Sequence, residues 1–384
     1  MKILHYYTEG DGMTAQYVGI LSQAMAGMEA MTCDGSIENI STTSLAQARR
    51  LLKNDDIDLL HLHGCWRDTD WLLTLTAEKL KTRVILSPHG NLQPWVIRQD
   101  YWKSHLPRII AYQRHIVSSA YAVITMGRME YEGMKRLEWS DRIEMVLNAM
   151  ITESITEYDM ARQILTIYNK VMDSNTLALI TGNTRKAYSA LIKAGTTKDS
   201  RWLDDDDMAD ISQLKPVAWR RIIISAWHSG IIDIIADAID TLQLPLLDIH
   251  PKDIACYMPT VENRKGLFNK EVKELPAVIA DDKGMHTDSF ILFVKQLHKR
   301  AKAGLINMKD IVETSVQLRR VTIDERLFMQ EMTDKKLDAF LGSIMQLAME
   351  YTSIEEGFLI CAPRTGRMTR KIRKIIENQH NIRQ

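Results

Sequence analysis

The chain has 384 residues, of which 45% are hydrophobic and 26% charged, with 49 Lys plus Arg balancing 49 Asp plus Glu. This is the composition of a soluble globular protein, long enough for two domains that each bury a core. A neutral chain has no global field to gather nucleic acid, so no nucleic-acid partner is expected without a local basic patch. No apolar run is long enough to span a bilayer and the apolar start at 1–7 is too short for a signal peptide, so a cytoplasmic protein is expected.

In chain order, residues 2–7 form a short apolar run that ends at the turn Gly10-Asp11-Gly12. Helical spacing follows over 13–28. The alternation then recurs: helix 43–53, strand 57–62, helix 68–81, strand 83–86, helix 106–119, strand 121–125, helix 127–137 and strand 143–147. Strands alternating with helices predict a parallel sheet covered on both faces, an α/β Rossmann-like doubly wound fold over residues 1–150. Ligands of such sheets bind outside the carboxyl ends of the strands, which directs attention to 9–13, 61–66, 88–95, 126–129 and 148–149.

Residues 151–384 read differently. Helical spacing covers 152–172, 178–194, 218–242, 287–303, 311–318, 323–332 and 337–351, and a segment near 246–285 rich in Pro and Gly reads as loop. This half is expected to be a mainly α-helical domain. Asp204 to Asp207 form an acidic run at a helix start, where acids favour the helix dipole; a Mg²⁺ site is the sharper reading and solvation the plainer one. The tail is basic, with Arg364, Arg367, Arg370, Lys371, Arg373, Lys374 and Arg383 against Glu377. Such a tail is either a soluble helix end or a contact to anionic lipid at a membrane surface, to RNA or to a phosphorylated ligand.

Four cysteines, Cys33, Cys65, Cys256 and Cys361, include no Cys-x-x-Cys pair and read as free thiols. The 21 Met are read as packing residues.

Three segments carry a family resemblance. They are Asp56-Ile57-Asp58-Leu59-Leu60-His61-Leu62-His63-Gly64-Cys65-Trp66, then Ser87-Pro88-His89-Gly90-Asn91-Leu92-Gln93-Pro94-Trp95, and the stretch from Glu130 to Val146-Leu147-Asn148-Ala149-Met150. In this order they resemble the acceptor-side, N-terminal domain of family 4 glycosyltransferases, which have the two-domain GT-B fold. The resemblance covers 1–150. It implies retaining transfer of a sugar from a nucleotide sugar to a glycan acceptor, as in polysaccharide biosynthesis. It assigns His89 to the family residue that touches the donor sugar near the reacting carbon.

His61 and His63, two apart at a strand end, point to one side of the sheet. Their imidazoles and that of His89 suit sugar hydroxyls and phosphate oxygens. Against this, a strand-end His is often structural, and His61 is read so. Gly64 and Gly90 allow sharp turns past the two strands. Gly10 and Gly12 open the first helix, where backbone N–H groups attract phosphate; a plain turn is the competing reading. Arg98 and Lys103 follow the His89 loop and are read either as contacts to an anionic acceptor or as merely solvated. Trp66 and Trp95 are read as loop anchors or sugar platforms. A zinc site built from His61, His63, His89 and Cys65 matches no common spacing, so neither metal nor cofactor is expected.

The second half lacks the family's donor-side signature. Glu356-Gly357-Phe358 is present, yet Arg364 stands where the second Glu belongs. The alternative is therefore a non-catalytic binding or regulatory protein whose helical half binds a partner protein or a second chain.

Overall fold

The computed structural model describes residues 1–32, 35–245, 254, 256–257 and 286–377. Cys33, Arg383 and almost all of the loop-rich stretch 246–285 lie outside the described residues. Two compact units are present. The first is Met1–Ser174 with Ile254, Cys256 and Tyr257; the second begins at Asn175 and comprises 175–245 and 286–377.

The first unit is a six-stranded, all-parallel sheet in the order β2-β1-β3-β4-β5-β6. Its strands are β1 (Lys2–Tyr6), β2 (Glu38–Thr42), β3 (Leu59–His63), β4 (Arg83–Ser87), β5 (Ala122–Thr125) and β6 (Ile143–Met145). The helices α1 (Gly12–Met25), α2 (Leu45–Asn54), α3 (Asp68–Leu80), α4 (Pro94–Arg98) and α5 (Arg128–Leu137) lie in the connections. This is the Rossmann-like α/β fold that the alternating pattern predicts. Five strands were expected and six are found, the addition being β2. Glu38, Asn39, Ser41 and Thr42 make it too polar to read as an apolar run, which suits an edge strand.

Winding reverses between β1 and β3, because β1 joins β2 on one side and later strands build outward from β3 on the other. The crevice of a doubly wound sheet opens at that switch point, beyond the carboxyl ends of these two strands.

Strand alternation gives the sheet two apolar faces. Leu4, Leu60, Leu62, Val84, Leu86 and Val123 point to the side that also packs Ala48, Leu73 and Ile116. Ile3, Leu59, Ile85 and Ile124 point to the other side, against Tyr17, Leu21 and the helix α6 (Glu157–Met172). α6 starts at Thr156, whose hydroxyl accepts from the Asp159 N–H at 3.0 Å, and buries Met160, Ile164, Ile167, Tyr168 and Val171. Each such side chain contributes about 1.5–3 kcal/mol by leaving water. The buried Arg83 donates to the carbonyls of Met172 and Ser174, at 3.1 and 2.6 Å, and so fastens the end of α6 to β4. The first unit thus runs to Ser174 rather than stopping at 150, because without α6 this face of the sheet would stand open.

The second unit is helical: α7 (Gly182–Thr197), α8 (Asp205–Ser212), α9 (Pro216–Ser229), α10 (Ile232–Thr241), α11 (Thr287–Lys302), α12 (Met308–Arg320), α13 (Glu325–Asp334), α14 (Asp338–Thr352) and α15 (Arg367–Glu377). It has its own apolar core, including Leu191, Phe290, Phe293, Ile344 and Leu347. The span 218–242 is two helices, not one, broken at Gly230 in the left-handed region at φ +68°. The acidic run caps α8: the Asp204 carboxylate accepts from the Asp207 N–H at 2.7 Å, and Asp207 reaches back to the Asp204 N–H. The basic tail is docked through Ile372 and Ile376, and Arg373 forms a bidentate pair with Glu350. Among the described residues this unit holds no sheet, only an isolated bridge between His286 and Thr322. No described helix is long and apolar enough to cross a membrane.

Candidate functional site: an imidazole chain at the switch point

Parallel register aligns His5 of β1 with His61 of β3, and His63 of β3 with Ser87 of β4. All four side chains lie on the α1/α6 face, at the end where the strands finish. His5 Nδ1 lies 3.0 Å from His63 Nε2, and His63 Nδ1 lies 2.9 Å from His89 Nε2. His5 Nε2 lies 3.1 Å from Asn39 Oδ1 on the neighbouring strand β2. Three imidazoles are thereby joined in a row from β1, next to the edge strand, to the rim. Their rings stack at centroid distances of 5.3 Å (His5 and His63) and 5.2 Å (His63 and His89).

His61 sits beside the row, wholly buried, with Nδ1 2.6 Å from the Tyr168 hydroxyl and Nε2 2.8 Å from the Ser87 hydroxyl. Tyr17 of α1 meets His63 and His89 edge-on, and its hydroxyl has no hydrogen-bond partner among the described residues. Burial disfavours the charged imidazolium throughout. It pushes His5 and His89 down to about 4, and His61 and His63 well below the ordinary value.

The loops hold these rings by named contacts. His89 and Gly90 both have positive φ, +52° and +84°, and Gly64 has +97°. The left-handed region costs a residue with a Cβ about 1–2 kcal/mol, so the His89 conformation needs support. Glu130 supplies it, accepting from the Gly90 N–H at 2.6 Å and the Met126 N–H at 3.0 Å. Gly64 donates its N–H to the Ser87 carbonyl at 2.8 Å. Arg67 binds Asp70 through two nitrogens, at 2.8 and 2.6 Å, and donates to the His63 carbonyl at 2.8 Å and to the Thr8 hydroxyl. Trp66 is a loop anchor: its N–H meets Gln113 and its indole N–H meets the Asn91 carbonyl.

His63, Gly64, His89 and Gly90 are thus gathered at one place. His63 is only 2% exposed, so it reaches the rim through His89, which is half-buried. The Gly10–Gly12 turn joins them through Asp11, whose carboxylate attracts a proton on His89. Asp11 also caps α1, accepting from the Thr14 N–H at 3.0 Å and the Thr14 hydroxyl at 2.7 Å. Burial works against the charged Asp11, yet the bonds from Thr14 prevail and hold its pKa below the usual range. A carboxylate already occupying this helix start disfavours phosphate there. Arg98 ends α4 with an exposed side chain, and Trp95 on the same helix is exposed.

His5, Asn39 and Tyr17 were not singled out by sequence reasoning, and Asp11 and Glu130 were read only as part of a turn and of a family-like stretch. The signal for His5 was its position in an apolar strand with the same alternation as His61. Asn39 gave none, since its strand was itself unread.

One nitrogen from each of His5, His61 and His63 falls within 4.8 Å of the others, the only such grouping among the described residues. A tetrahedral Zn²⁺ about 2.0 Å from each nitrogen needs nitrogens about 3.3 Å apart. Here both His61 nitrogens face hydroxyls. Cys65 packs in the opposite apolar face, where burial drives its thiol pKa well up. Hydrogen bonding accounts for the contacts that are present.

A six-stranded parallel sheet with helices in its connections defines a Rossmann-like α/β domain. Residues 38–149, from β2 to just past β6, match the family described as glycosyl transferase 4-like domain, which makes this part of the chain a glycosyltransferase-like domain. The match leaves the helical unit unassigned, and no curated protein or solved structure matches the chain.

Proposed function

We propose that the first unit binds a nucleotide sugar at the β1/β3 rim and serves retaining transfer of its sugar to a glycan acceptor. The observation that carries this reading is His89, held at a strained φ on the strand-end loop within the glycosyltransferase-like segment, with one ring nitrogen tied to His63. His89 contacts the sugar. Gly90 and Gly64 keep the loops clear of it, His63 acts through His89, and Gly10 and Gly12 let the first loop approach. Arg98 meets an anionic group of donor or acceptor. Stabilisation of the departing diphosphate supplies most of the rate enhancement in such a reaction. No metal or cofactor takes part in this reading.

A second reading is a binding or regulatory protein without catalysis, whose helical unit engages a partner protein or second chain. It is favoured by the helical make-up of the described part of the second unit, where the family's donor-side domain would carry another parallel sheet. Titration calorimetry of the full chain with a panel of nucleotide sugars and free nucleoside diphosphates tests the first reading. Binding is expected, and His89→Ala should weaken it tenfold or more, the loss of about 1.4 kcal/mol. Binding of every sugar donor that ignores His89→Ala would remove His89 from the site. Binding without turnover against glycan acceptors would select the second reading.

A further inference from the structure

The chain Asn39, His5, His63, His89 has a direction, and that direction follows from its far end. A carboxamide oxygen only accepts, so the His5 nitrogen facing Asn39 Oδ1, Nε2, carries the hydrogen. A neutral imidazole has one N–H, which leaves His5 Nδ1 a bare acceptor for His63 Nε2–H. The same logic leaves His63 Nδ1 to accept from His89 Nε2–H. The last ring, at the rim, is left with a bare Nδ1. Burial keeps all three rings neutral, so no second proton relaxes the rule.

We infer that Asn39, more than one strand away at the sheet edge, sets the tautomer of His89 through His5 and His63, so that His89 presents a hydrogen-bond acceptor and not a donor to whatever binds at the rim. Asn39 and His5 are positioning residues: neither touches the rim, and each acts through the next ring. The consequence for the ligand rests on the sugar-binding reading above. An acceptor nitrogen takes a hydroxyl that donates, as sugar hydroxyls do, and is poorly suited to a phosphate oxygen, which has no proton to give at neutral pH. The tautomers themselves do not depend on that reading.

The relay has an end that tolerates change. Asn39 is half-buried on the edge strand β2 and its side chain is not part of the apolar core. Asn39→Leu removes the acceptor, whereas Asn39→Asp keeps one.

The test is long-range ¹H–¹⁵N correlation spectroscopy of the full chain labelled at histidine nitrogens, with resonances assigned by His5→Gln and His89→Gln. In the wild type, His5, His63 and His89 should each show protonated Nε2 and bare Nδ1. Asn39→Leu should move the His89 Nδ1 resonance toward that of a mixed or Nδ1–H ring, and Asn39→Asp should retain the wild-type pattern. Nδ1–H tautomers in the wild type would overturn the inference, whether or not the Leu variant folds. So would a His89 pattern unmoved by Asn39→Leu in a chain of unchanged circular dichroism. Stoichiometric metal in the purified protein, with ring nitrogens shifted on its removal, would replace the hydrogen-bonded chain by a metal site. If the tautomers are as expected and no nucleotide sugar binds, the relay stands and the sugar reading falls.

Discussion

Glu130 has two backbone N–H groups to satisfy and both of its oxygens are used, one by Gly90 and one by Met126. The carboxylate is buried, and burial raises its pKa while the two N–H bonds oppose that rise. It therefore holds the strand-end loop after β4 to the loop after β5. Glu130→Gln preserves the shape but turns an NH₂ toward one of the two amides, leaving a donor facing a donor in a buried place. A loss of about 1–3 kcal/mol is expected, read as a lower urea midpoint. Because the same bond supports the left-handed conformation of His89 and Gly90, the variant should also weaken any ligand that depends on His89. An unchanged midpoint would mean that the loop holds its shape without this carboxylate.

Among the helices of the second unit, α7 and α10 pack closely at Gly195. A Cβ added at Gly195 would meet the Ile234 carbonyl oxygen at 1.9 Å and its carbon at 2.8 Å, both backbone atoms that cannot swing aside. Helix propensity favours Ala over Gly by about 1 kcal/mol, so an unpacked helix would gain from Gly195→Ala. Here the clash wins. The variant should lose about 1–3 kcal/mol as the helices are forced apart, and a raised thermal midpoint would show that they are not in contact at this glycine. Sequence pattern did not show this close packing, because spacing identifies a helix face but not its partner. The same limit applies elsewhere. β3, β4 and β5 were legible since they are buried on both faces and read as largely apolar runs. β2 was not, being a polar edge, and with it Asn39 was lost. The irregular helical run 101–119, with five-residue π segments at Tyr101–His105 and Ile109–Gln113, carries no periodic signature distinct from an α-helix. His63 and His89 were legible as strand-end residues, but their junction through ring nitrogens required the register of three strands.

For the molecule as a whole, the buried imidazoles set how folding responds to acid. Unfolded histidines take up protons near 6.5, whereas in the folded chain burial holds His5 and His89 to about 4 and His61 and His63 lower still. Between these limits the unfolded state binds more protons, so stability is fully present above pH 6.5 and falls as pH drops toward 4. The shift of His5 alone corresponds to roughly 3 kcal/mol. Some buried acids act in the opposite sense. Burial raises Asp70 to about 6 despite its pairing with Arg67, and Glu130 and Asp310 are also raised, so their folded forms protonate first. Asp70 offsets a growing part of the loss as pH falls through 6, so between 7 and 6 the four imidazoles outweigh this single carboxyl. Urea midpoints measured from pH 7.5 to 5 should therefore fall, most cleanly in that upper interval, and His5→Gln should flatten the curve if the variant folds. A midpoint that stays level or rises between pH 7 and 6, where the imidazoles outweigh these acids, would mean that the folded chain already carries charge on these rings. In that case neither the neutral row nor the tautomer it imposes on His89 could hold.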